Sequence, residues 1–202
     1  MANISKRWAD FSTSIFSVMT QRANAAGALN LAQGFPDFDG PDAIKNAAWE
    51  AMRAGHNQYA PAPGLPRLRQ LLADKRSAQG AGSYDWDSEV TIYSGATEAL
   101  FCALQALFSP DDEIIAFEPL YDSYVGGAHS AGAKVIGVPL KPPHFNFDPQ
   151  DLTRAVTKNT RALIVNTPHN PTGRVFTQAE LAVISDFVIA HDLLCITDEV
   201  YD

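Results

Sequence analysis

The residues able to do chemistry fall in a few short polar segments, each directly behind an apolar run. Asp198 follows the run at 193–197, and a carboxylate there must be solvated, paired or hydrogen-bonded, since leaving it unpaired costs several kcal/mol. A protonated ring nitrogen is one fitting partner, which Asp198 would hold by a charge-assisted hydrogen bond. The bland alternative is an amino-terminal helix cap. Asn166-Thr167-Pro168-His169-Asn170-Pro171-Thr172-Gly173 combines two prolines, two asparagines and a glycine, giving a rigid loop able to aim an amide side chain at one point. A plain turn would need fewer constraints. Ser94-Gly95-Ala96-Thr97-Glu98 is a small-residue turn feeding a helix, whose amides and dipole suit an anion such as phosphate, although such turns are also common as plain structure. Glu118-Pro119-Leu120-Tyr121 sets an aromatic ring at the end of another apolar run, either to stack on a flat ligand or to cap the local core.

Other site chemistries find no support. GxGxxG is missing, so the turn at 94–98 is not a dinucleotide fingerprint. Gly127 and Gly132 have Walker-loop separation, but Ala133 stands before Lys134 and the apolar run follows instead of preceding. The histidines, at 56, 129, 144, 169 and 191, show no ligand spacing, and no metal is expected.

These segments need a scaffold, and the chain alternates short apolar runs with longer helical patterns from residue 90 onward, the signature of a parallel α/β sheet. The pattern predicts strands at 90–93, 113–117, 134–138, 162–165 and 193–197, and helices at 97–108, 121–131, 149–156 and 178–191. Asp148 before Pro149, and Thr177, are the expected caps. In such sheets ligands bind beyond the carboxyl ends of the strands, where the polar segments lie. Upstream, residues 1–40 read as an arm: an amphipathic stretch around Ile15, Phe16, Val18 and Met19, an extended segment at 29–35, then a turn cluster at 36–41. Helices are expected at 42–54, behind Pro41, and at 66–79.

Composition excludes further classes. With 15 Lys and Arg against 23 Asp and Glu, the net charge of −8 offers no basic face for nucleic acid. No apolar run approaches the roughly 18 residues of a membrane helix. Asp10, Ser12 and Thr13 break the apolar stretch behind Lys6 and Arg7 that a signal peptide would need. Cys102 and Cys195 are too few for a disulfide framework, so the expected setting is the reducing cytoplasm.

Taken together, the loop at 166–173 and Thr197-Asp198-Glu199-Val200-Tyr201 resemble the two signatures of the pyridoxal-phosphate-dependent aminotransferases of fold type I, class I/II. Asn30-Leu31-Ala32-Gln33-Gly34-Phe35-Pro36-Asp37-Phe38 is similar to the amino-terminal motif of the kynurenine, glutamine and methionine aminotransferase branch. Asn57-Gln58-Tyr59, Ser94-Gly95-Ala96-Thr97-Glu98-Ala99-Leu100 and Glu118-Pro119-Leu120-Tyr121-Asp122-Ser123-Tyr124 match it in order. The resemblance implies an incomplete three-layer αβα large domain with a mainly parallel sheet, residues 41–202 being its first part, behind the arm at 1–40. It also implies roles. Ala96 and Thr97 would bind the phosphate, Tyr121 would stack on the pyridine ring, Asn170 and Tyr201 would hydrogen-bond the phenolic oxygen, and Asp198 would pair with the ring nitrogen, making the ring an electron sink. Gly34 and Asn170 would contact substrate, Phe16 would line its pocket, and Tyr59 would reach the phosphate of a neighbouring subunit, which implies a homodimer. Thr97 departs from the tyrosine of the kynurenine enzymes and favours the methionine side of the branch.

In the family a Schiff-base lysine lies in a Ser-x-x-Lys setting a few tens of residues beyond the aspartate motif, hence beyond Asp202. Lysines 6, 45, 75, 134, 141 and 158 have no such context. The resemblance therefore implies an amino-terminal fragment, catalytically inactive alone, of an enzyme moving an amino group between an amino acid and a 2-oxo acid. Its side chain would be methionine-like, aromatic or glutamine-like. Cysteine-S-conjugate β-lyase activity of the complete enzyme, or a non-catalytic fragment of the same fold, are the competing readings; a regulator would need a helix-turn-helix ahead of the arm, and none is read. The resemblance places the family's last two strands next to residues 90–93, so the chain alone is expected to be unstable or aggregation-prone.

Overall fold

Four apolar runs build one parallel sheet, with helices on both of its faces. The computed structural model describes residue 5 and residues 8–9, 11–34, 36–80 and 82–201. Lys6, Arg7, Asp10, Phe35 and Asp202, used in the sequence reading, lie outside the described residues. The chain divides into two compact units whose main spans are residues 8–92 and 93–202.

The first unit carries α1 (Ile15–Ala26), α2 (Asp42–Arg53) and α3 (Pro66–Ala78). The Ser14 side chain caps α1 by accepting the Phe16 amide, and Gly27 ends it in the left-handed conformation. In α2, Asp42 in the first turn and Arg53 in the last complement the macrodipole. Pro66 starts α3, where its missing N–H costs nothing. Arg69 on α3 is buried; it donates to the carbonyls of Val90 (2.7 Å) and Asp87 (2.6 Å) and lies over the Trp86 ring.

That arrangement corrects one expectation, because residues 90–93 form no strand. A strand exists only where a neighbour takes its backbone groups, and here loop partners take them. Val90 gives its carbonyl to Arg69, and Ile92 donates its amide to Pro63 at 2.9 Å. Gly64 permits this approach: at φ +104°, a Cβ there would sit 2.4 Å from Ile92 Cγ1.

In the second unit the elements follow as α4 (Ala96–Leu107), β1 (Glu113–Glu118), α5 (Asp122–Ala131), β2 (Lys134–Pro139), α6 (Pro149–Ala155), β3 (Thr160–Asn166), α7 (Gln178–Ala190) and β4 (Leu194–Asp198). The sheet order is β2-β1-β3-β4, with every pairing parallel. Alternation within β1 and β3 feeds two cores, which is why these strands read as continuous apolar runs. Ile115, Phe117, Leu163 and Val165 pack with Leu152 of α6 and Ile184 of α7, whereas Ile114, Ala116, Ala162 and Ile164 pack with Leu104 of α4 and Ala128 of α5. Both expected caps form: Asp148 accepts the Gln150 amide, and Thr177 with Glu180 makes a reciprocal capping box. β4 is the outer strand on its side, and Leu194 and Cys195 on it are exposed. Among the described residues, no helix is long and apolar enough to cross a membrane.

Candidate active site

Asp198 is the last residue of β4 and is 8% exposed. Register opposes it to Asn166, the last residue of β3, so two buried polar side chains end adjacent strands. Asn166 uses both ends of its amide. Nδ2 donates to the Asp198 carbonyl at 2.9 Å, and Oδ1 accepts the Asn170 amide at 2.6 Å. The loop holding Asn170 is thereby tied to the end of β4. The Asp198 carboxylate has its own partners: Oδ2 accepts the Tyr124 hydroxyl at 2.5 Å, and Oδ1 accepts the Val200 amide at 3.2 Å.

A groove of about 350 Å³ opens beside this carboxylate, lined by Ala96, Ala99 and Leu100 from α4 and by Thr197, Asp198 and Glu199 from the end of β4. Gly95 is the N-cap of α4 and brings no capping side chain, so the first-turn amides depend on other partners. Glu98 accepts the Ser94 amide at 2.5 Å and so ties down the turn ahead of the helix. A helix amino terminus and a buried carboxylate thus border one groove: the first suits an anion, the second a cation.

The same end of the sheet is braced from β1. Tyr121, the N-cap of α5, packs edge-on against Tyr124 with ring centroids 5.9 Å apart. Burial and the adjacent Asp198 carboxylate push the Tyr124 phenol well above its ordinary pKa, which keeps it a proton donor. In the 166–173 loop, buried His169 sets Nδ1 2.9 Å from Thr172 Oγ1 and bonds the Phe117 backbone of β1. Burial holds this imidazole below its usual pKa, in the neutral form. Arg174 donates to the Phe145 carbonyl and pairs with Glu180, anchoring the loop's far end.

Of the residues singled out in the sequence, Ala96 and Asp198 therefore line one groove, and Asn170 is coupled to Asp198 through Asn166. Tyr121 is coupled to it through Tyr124. Thr97, in the first turn of α4, and Tyr201, just after β4, are exposed. Phe16, Gly34 and Tyr59 belong to the first unit, where Phe16 is half-buried and Gly34 and Tyr59 are exposed. Tyr124 and Asn166 were not singled out from the sequence, although both stand inside the motifs. The available signals were an amide at the end of an apolar run and a tyrosine three residues after Tyr121 on the same helix.

The model of the family described as aminotransferase class I and II matches residues 26–202. A probable N-succinyldiaminopimelate aminotransferase of Mycobacterium tuberculosis is 45% identical over 194 residues, which is 95% of this chain and 49% of that protein. The methionine aminotransferase of Escherichia coli is 41% identical over 190 residues, 94% of this chain and 49% of that one. In structure, an Escherichia coli protein with a methionine aminotransferase function superposes with a TM-score of 0.93 at 39% identity, covering 100% of this chain and 53% of its own. The Mycobacterium tuberculosis N-succinyldiaminopimelate aminotransferase gives 0.91 at 45% identity, covering 99% and 52%. The chain spans about half the length of the curated relatives it matches. Motifs, sheet and matches agree on one conclusion: the chain belongs to the class I and II aminotransferases.

Proposed function

We propose that this chain forms the cofactor-holding part of an aminotransferase that uses pyridoxal 5'-phosphate to move an amino group between an amino acid and a 2-oxo acid. The observation that carries the reading is the groove shared by the buried Asp198 carboxylate and the start of α4, because it offers one site for a cation beside one for an anion. That pair fits a protonated pyridine bearing a phosphate. When bound, the cofactor supplies an electron sink for the electron pair left on the substrate α-carbon. Asp198 holds the proton on the ring nitrogen, and the Ala96 and Thr97 amides bind the phosphate. Tyr121 covers the ring face, and Asn170 and Tyr201 donate to the phenolic oxygen. Gly34, Phe16 and Asn170 are assigned to the substrate.

Lys134 and Lys158 stand at the amino ends of β2 and β3, and Lys141 pairs with Asp151 at 2.9 Å, so none is assigned to covalent attachment in this reading. The attaching lysine lies outside residues 1–202. Residues 1–40 act as an arm and 41–202 as the first part of the large domain. Tyr59, fully exposed, serves a neighbouring subunit in a homodimer. The protein is assigned to the cytoplasm, since two cysteines in 202 residues are too few for a disulfide framework. The substrate side chain is methionine-like, aromatic or glutamine-like, the names of relatives adding N-succinyldiaminopimelate as a comparison substrate.

The test is a cofactor titration of the protein expressed from its full reading frame, followed by absorbance, beside amino transfer from methionine, phenylalanine, glutamine and N-succinyldiaminopimelate. Asp198→Asn is expected to weaken binding at least about tenfold, the scale of one charge-assisted hydrogen bond. Unchanged affinity would overturn the reading.

A further inference from the structure

We infer that Tyr124 is the positioning residue for Asp198: its hydroxyl fixes the carboxylate that faces the ring nitrogen, and so sets how firmly that nitrogen is held. The inference rests on the role given to Asp198 above. Tyr124 is 2% exposed and packs in the core formed by Leu104, Ala128 and Ile164. A position needing only an aromatic filler takes phenylalanine, because a buried hydroxyl has to be hydrogen-bonded to avoid a desolvation cost. Here the hydroxyl spends its single proton on Asp198 Oδ2, 74 residues away in sequence. With Oδ2 held from α5 and Oδ1 held by the Val200 amide, the carboxylate cannot rotate without breaking a hydrogen bond. The high phenol pKa keeps the donor protonated. The edge-on contact with Tyr121 adds a second link, since the ring assigned to cover the cofactor rests on the ring that holds the carboxylate. Tyr124 is thus where ring stacking and nitrogen recognition meet.

The experiment uses the protein expressed from its full reading frame and pyridoxal 5'-phosphate labelled with 15N in the ring. Tyr124→Phe is expected to raise the cofactor dissociation constant about tenfold and to move the ring-nitrogen resonance. In an Asp198→Asn background the same change is expected to alter affinity less than about twofold, because the charge that Tyr124 positions is already lost. 3-Fluorotyrosine at position 124, a stronger donor of nearly the same shape, is expected to move the resonance opposite to Tyr124→Phe, and it keeps the test open should the phenylalanine variant fail to fold. Equal losses in both backgrounds, or an unmoved resonance with fluorotyrosine, overturn the inference while leaving the Asp198 role intact. Unchanged cofactor affinity in Asp198→Asn alone overturns that role and this inference with it.

Discussion

Asn166 and Asp198 end adjacent parallel strands, and the amide of the first donates to the backbone carbonyl of the second while holding the Asn170 amide with its oxygen. One side chain therefore sets the spacing between two loops that the family reading places around the cofactor. Asn166→Ala leaves a carbonyl and an amide without this partner, at a cost of about 1–3 kcal/mol. The melting temperature of the protein expressed from its full reading frame is expected to fall by roughly 2–4 °C per kcal/mol lost. Asn166→Asp is expected to cost more, since it replaces the donor with a second acidic group near Asp198. A melting temperature equal to wild type in both variants would show that the two loops hold their spacing without it.

His169 makes stability depend on pH. The folded ring, low in proton affinity chiefly because it is buried, competes with an unfolded ring titrating near 6.5. Protonation then favours the unfolded chain, so this contribution is complete above pH 6.5 and is lost as pH falls below it, levelling off under the folded value. Urea unfolding from pH 7.5 to pH 5 is expected to show that decline, with a shallower slope in His169→Asn. Parallel slopes would assign the acid sensitivity to other groups.

Gly127 lets α5 lie against α4, for a Cβ there would meet Leu104 Cδ1 at 2.6 Å, and Leu104 is fully buried. Gly127→Ala must push the helices apart or force Leu104 off its rotamer, costing about 1–3 kcal/mol. Because α5 carries Tyr124, cofactor affinity is expected to weaken together with stability. The paired variant Gly127→Ala with Leu104→Ala is expected to recover affinity in part, measured by titration, whereas simple addition of the two losses would exclude steric coupling.

The sequence by itself determined the elements that carry their own information. Apolar runs near 113–117, 134–138, 162–165 and 193–197 became β1 to β4; the central β1 and β3 read most plainly, because strands buried on both faces need continuous apolar residues. Caps at Asp148 and Thr177 were readable because they act within one helical turn. The polar segments at the strand ends, and the family they resemble, were readable for the same local reason. Tertiary structure alone decided the rest. Residues 90–93 have strand-like composition, yet their backbone groups go to Arg69 and Pro63, since a strand requires a neighbour that no local pattern supplies. The pairing of Tyr124 with Asp198 could not be read from either residue's surroundings either. It arises only once the sheet order and the packing of α5 bring a hydroxyl and a carboxylate together in a place with little water to satisfy them separately.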